Sequence, residues 1–155
     1  MFPATIYVGQ IIAVVAIVVA VNWGATQWTA AAVGYQTGLS RSAIKAFFNI
    51  MAKWDVRDDD AKVLLGGVSN GQFYDMKKNP ERTLDADMLT RISYLVGIFK
   101  ALNILYSDKL ADAWVKRPNT NRIFGGHMPL AYMMTGGLPA MQIVRRLADA
   151  RRDGM

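Results

Sequence analysis

No cysteine occurs anywhere in the 155 residues, so neither a disulfide framework nor a thiolate metal site can be built. Histidine is confined to His127, which excludes a two-histidine mechanism and a His-rich metal site. The G-x-x-x-x-G-K-[ST] phosphate loop is missing, and no Ser/His/Asp or Cys/His set can be assembled. Charge is also absent from a whole region: residues 1–40 hold no Asp, Glu, Lys, Arg or His. All 18 basic and 12 acidic side chains therefore fall in residues 41–155, as does the net charge of +6. These absences point to a binding protein without catalytic residues, metal or cofactor. The run Asp58, Asp59 and Asp60 does not change that reading. Consecutive carboxylates on a helix point in different directions, and a helix N-terminus is where they complement the macrodipole.

The charge-free stretch is almost entirely apolar over residues 4–21, with Thr5 and Gln10 as mild interruptions. Extended to Ala25 it reaches the roughly 20 residues that cross a bilayer core as a helix. Trp23, Trp28 and Tyr35 follow as interfacial aromatics do. The first charges, Arg41 and Lys45, place the remainder on the cytoplasmic side by the positive-inside rule. An uncleaved transmembrane helix at 4–25 is thus expected, rather than a signal peptide, because the basic leader region is missing. A helix or strand buried in a globular core is the other reading of such a run. Residues 24–36 also resemble the amino-terminal membrane segment of TraG/VirD4-type conjugation coupling proteins. That opens an alternative function, a membrane-tethered helical adaptor or accessory protein of a conjugation-type system.

From residue 41 onward helical spacing dominates and the expected fold is all-α. Ser40 or Ser42 can cap a first helix carrying Ile44, Phe47, Phe48, Met51 and Trp54 on one face. The second starts at the aspartates, carries Ala61, Val63, Leu64 and Leu65, and ends at Gly66 or Gly67. Ser69 caps a third helix that Asn79-Pro80 terminates. Helix, glycine turn and Ser-capped helix form a helix-turn-helix-like unit, whose second helix would lie in a DNA major groove. Ser69, Asn70, Gln72, Tyr74, Lys77 and Lys78 are its candidate DNA-binding residues: Asn and Gln suit adenine, Lys suits phosphate. Against this, Gly71 weakens the helix and Asp75 repels phosphate. The longest helix, Asp85 to Tyr106 with Thr83 as cap, carries Met88, Ile92, Leu95, Phe99, Leu102 and Tyr106 at core spacing. A short helix over Asp108 to Val115 then brings Trp114 to a heavily punctuated stretch.

That stretch, residues 117–137, reads Arg-Pro-Asn-Thr-Asn-Arg-Ile-Phe-Gly-Gly-His-Met-Pro-Leu-Ala-Tyr-Met-Met-Thr-Gly-Gly. Pro118 and Asn119 stop the preceding helix. Gly125 and Gly126 permit backbone angles closed to other residues. Pro129 suits a first helical turn, and Gly136 suits a left-handed helix end. The last helix, about Leu138–Arg152, bears Met141, Val144, Leu147 and Ala148 on one face.

Trp114, then Arg117-Pro118-Asn119, Phe124-Gly125-Gly126, Pro129-Leu130 and Gly136-Gly137, resembles the toxin-binding region of the Xre/MbcA/ParS antitoxins. The resemblance covers roughly residues 41–155 and is densest over 84–137. It implies an antitoxin that neutralises a RES-domain toxin, an NAD-consuming or ADP-ribosylating protein, by docking on its NAD-handling cleft. It also implies a homodimer that binds operator DNA and represses its own operon. The toxin-binding positions it implies are Trp114, Arg117, Asn119, Phe124, Gly125, Gly126, Pro129, Leu130, Met133 and Gly137. The last-helix arginines Arg145, Arg146, Arg151 and Arg152 join them, although a solvated basic face is the default explanation for such a run. The expected organisation is a charge-free segment (1–40), a helix-turn-helix-type region (41–106) and a toxin-binding region (107–155). A charge-free start is a departure from the family, whose members usually begin with a polar segment.

Overall fold

Ile44, Phe47, Ile50, Met51 and Trp54 recur every three or four positions. In the computed structural model the chain is helical over 38–53, here α1, with that stripe buried. The structure describes residues 38–154, so the expected membrane helix at 4–25 lies outside the described residues. Neither serine caps α1. Ser40 sits inside the helix, wholly buried, and its Oγ accepts the Leu84 N–H at 3.2 Å. The competing demand was a distant backbone donor, which periodicity does not reveal.

α1 closes with Val56 N–H donating to Met51 O (2.9 Å) and Asp55 N–H to Ala52 O (3.1 Å), while Asp55 adopts φ 49°. This is the left-handed helix end usually given to glycine. α2 (Asp58–Leu64) ends the same way, through Gly67 N–H to Lys62 O and Gly66 N–H to Val63 O, both 2.9 Å. Gly66, at φ 98°, takes the left-handed position. The three aspartates occupy the first turn of α2 as expected. α3 (Asn70–Lys78) is capped by Ser69, whose Oγ accepts the Gln72 N–H at 3.2 Å, and stops before Pro80.

α4 (Ala86–Leu105) is the spine. Its cap is Asp85, accepting the Met88 N–H at 2.8 Å, rather than Thr83. A carboxylate one residue before the helix makes the shorter reach to the third amide. The expected stripe is buried at Met88, Ile92, Leu95 and Leu102 but only half-buried at Phe99 and Tyr106. Gly97, Ile98 and Ala101 are buried as well. α4 is therefore apolar on more than one side because it packs against several partners, chiefly α6 and α5. α5 (Asp108–Trp114) and α6 (Pro129–Asp153) complete the chain, and among the described residues there is no strand. α6 is two helices in line, broken at Gly137 with φ 60° and ψ −145°. The expected break is thus present, but the special backbone angle belongs to Gly137 and not Gly136. At Gly136 the constraint is space, since a Cβ there would come within 2.6 Å of the Ala140 Cβ.

Residues 39–155 share one core, in which Trp54, Phe73, Leu95, Phe124 and Met141 all belong to a single buried cluster. It runs through both regions expected from sequence, 41–106 and 107–155.

Candidate functional site

Between α5 and α6 the chain makes a tight, internally bonded excursion. Asn119 Oδ1 accepts the Asn121 N–H at 3.0 Å, and Asn121 Oδ1 accepts the Ile123 N–H at 3.1 Å. Asparagines that fold back on the backbone two residues ahead are local turn formers, which accounts for the Asn-Thr-Asn sequence. Phe124 N–H donates to Asn121 O and His127 N–H to Phe124 O, both at 2.9 Å. Two further bonds close the base: Asn119 N–H to His127 O at 3.2 Å and Leu130 N–H to Val115 O at 2.9 Å. Gly125 (φ 56°) and Gly126 (φ 85°) turn the chain at the tip. Lys116 ties the base to the end of α1, its Nζ standing 3.1 Å from Asp55 Oδ2.

Phe124 points inward. It is 1% exposed, with Trp114 and Tyr132 meeting it edge-on at ring centroid distances of 5.9 and 5.5 Å. Pro129, Leu130 and Met133 are buried beneath the same turn. Four of the expected toxin-contacting side chains therefore serve first as the floor that holds the turn. Half-buried Trp114 and Asn119 line its base, while Arg117, Gly125 and Gly126 are exposed. The motif specifies a platform, and apart from Arg117 the outward-facing side chains are ones the motif did not single out. Ile123 and Met128 are 40% and 42% exposed, and Arg122 beside them is exposed too. Their one sequence signal was being apolar or basic next to asparagine and glycine turns.

The last-helix arginines divide. Arg145 bonds Asp149 through Nε at 2.6 Å, and its guanidinium lies against the backbone of α4 at Gly97. A Cβ on Gly97 would fall 1.1 Å from Arg145 Nη1, so the bare α-carbon makes room for the cation. Arg152 pairs with Asp149 (3.4 Å) and Asp153 (2.9 Å), and the Asp153 bond raises its pKa further. Arg151 donates to the Tyr106 hydroxyl at 3.4 Å. Arg146 is exposed and, among the described residues, makes no ion pair. Much of the basic face is thus compensated within the fold. Gly97 went unread because a glycine inside an apolar helix looks like neutral filler.

At the other end, α2, the two-glycine turn and α3 follow one another as expected, and the six candidate DNA-binding residues are spread unevenly. Ser69 is occupied as a cap, and Asn70 Oδ1 accepts from Lys62 Nζ. Lys62 also pairs with Asp59 at 2.6 Å, which raises the ammonium's pKa and lowers the carboxyl's. Lys77 is folded back: Asp58 holds it at 3.0 and 3.1 Å, and the Phe48, Phe73 and Tyr74 rings lie within 6 Å of its Nζ. Tyr74 and Lys78 are exposed and Gln72 is partly so. The feared repulsion at Asp75 is offset by Arg82 at 2.9 Å. Among the described residues no group of three or more metal-ligating side chains comes together.

Residues 101–154 match the family model described as the antitoxin Xre/MbcA/ParS C-terminal toxin-binding domain. A Sinorhizobium fredii protein described as uncharacterized protein y4oB is 38% identical over 112 residues, covering 72% of this chain and 84% of the relative. No solved structure matches the chain. The matched stretch begins inside α4 and takes in α5, the closed turn and all of α6.

Proposed function

Since the chain belongs to the Xre/MbcA/ParS antitoxin family and ends in its toxin-binding domain, we propose that it neutralises a RES-domain toxin by direct contact, without chemistry of its own. One observation carries this: the matched residues are the ones that build a rigid, outward-facing turn on a buried aromatic floor. Preorganisation of that kind lowers the ordering cost of association. Co-expression tests it. Cells arrested by a RES-domain toxin should be rescued by the chain, and the two should elute as one species. Continued growth arrest with both proteins soluble would overturn the proposal.

The second half of the proposal is autorepression, with the α2–turn–α3 unit on operator DNA. Exposed Tyr74 and Lys78 and partly exposed Gln72 support it; Lys77 contributes to the fold instead. Dimerisation has an apolar surface to use, the open groove of about 760 Å³ between α1 and α4, lined by Leu39, Ala43, Ala46, Leu89 and Val96. The charge-free residues 1–40 support an inner-membrane anchor through 4–25, with the folded unit on the cytoplasmic side. That segment also supports the second reading, a tethered adaptor of a conjugation-type system, which loses its basis if the chain is released by carbonate extraction.

A further inference from the structure

The turn at 119–128 presents a small apolar surface that the buried motif residues do not account for. Ile123 and Met128 stand 40% and 42% exposed on either side of the Gly125-Gly126 tip. Their backbones are fixed by the Asn121 Oδ1 acceptor at Ile123 and by the closing Asn119–His127 bond. Two large apolar side chains are left partly in water on a preorganised tip, outside the buried cluster to which Phe124, Leu130 and Met133 belong. The tip also carries cations. Arg117 and Arg122 are exposed and make no ion pair among the described residues. From residue 117 to the end of the chain there are six arginines against two aspartates.

We infer that Ile123 and Met128 are the apolar anchors of the toxin interface, seated in an apolar depression whose rim carries carboxylates facing Arg117 and Arg122. This rests on the antitoxin function proposed above and deepens it, since it moves the anchoring role from Phe124 to its exposed neighbours. The partner is the toxin because the tip lies wholly within the matched toxin-binding domain. Apolar side chains that become fully desolvated at the centre of an interface dominate its energy, and flanking charges set approach and orientation.

The test is titration calorimetry of the full chain against a purified RES-domain toxin. Ile123→Asp with Met128→Asp should weaken binding by about 100-fold or more, because each buried anchor is worth a tenfold or greater change and the new carboxylates face a like-charged rim. Val63→Asp, at a residue 45% exposed on α2 and outside the matched domain, should change it by less than about threefold. Ile123→Ser with Met128→Ser, which adds no charge, should still weaken binding about tenfold and keeps the test valid if the aspartate pair disturbs the turn. Unchanged affinity in the folded serine pair overturns this inference alone. Failure of the unsubstituted chain to bind overturns the proposed function, and this inference with it.

Discussion

At the scale of single residues, Phe124 shows how a motif position can matter without touching a partner. Its ring is enclosed by Trp114 and Tyr132, and its removal leaves a cavity under a turn that cannot collapse freely, being closed by backbone bonds at both ends. Phe124→Ala should therefore cost about 3–5 kcal/mol of stability, whereas Ile123→Ala next to it should cost under about 0.5. Urea denaturation of the two variants checks this, and equal midpoints would mean that the ring is not part of the core. Gly137 is the other residue the fold depends on. Its φ 60° and ψ −145° are open to glycine alone, so any side chain there strains the kink that aims the second half of α6. The glycines in this region were readable in advance as special positions. Which of Gly136 and Gly137 takes the special angle was not, because both lie at the same helix junction and differ only in what faces them.

Among the elements, α3 illustrates the limits of a face drawn from sequence. Lys77 and Lys78 are adjacent and chemically identical, yet Lys77 is committed to Asp58 on α2 and to three aromatic rings, leaving Lys78 to solvent. Lys77→Ala is expected to lower stability by about 1 kcal/mol, a figure kept small because the side chain is half exposed. Lys78→Ala should leave stability unchanged. If α3 binds DNA, Lys78→Ala should instead reduce the salt slope by about one, as expected for one lost phosphate contact. Gel-shift titrations over a salt series measure it, and an unaltered slope would remove α3 from the phosphate contacts. Helix starts followed the same pattern. Ser69 was legible as a cap because nothing else competes for its hydroxyl, while Ser40 was not, because a backbone amide 44 residues away claims it.

For the whole molecule, the shared core has a practical consequence. Trimming the chain to residues 39–155 should leave a folded, cooperative unit, since that is the compact body and Ser40 is buried within it. Trimming to 41–155 removes Ser40 and leaves the Leu84 amide without its buried acceptor, a loss of about 1–3 kcal/mol. Thermal melts of the two fragments should differ by several degrees, with 39–155 the higher. Identical melting would show that the Ser40 bond contributes nothing.

By itself the sequence determined the helical class, the charge discontinuity near residue 40, the order of the helices and the place where the chain turns back on itself. Those follow from periodicity and from the backbone chemistry of proline, glycine, serine and asparagine, which act over a few residues. Tertiary structure alone decided which side chains of the turn face inward and that Gly97 makes way for Arg145. It also decided which lysine of α3 is available to a partner. Each of those depends on atoms brought together from distant positions, and local pattern carries no record of them.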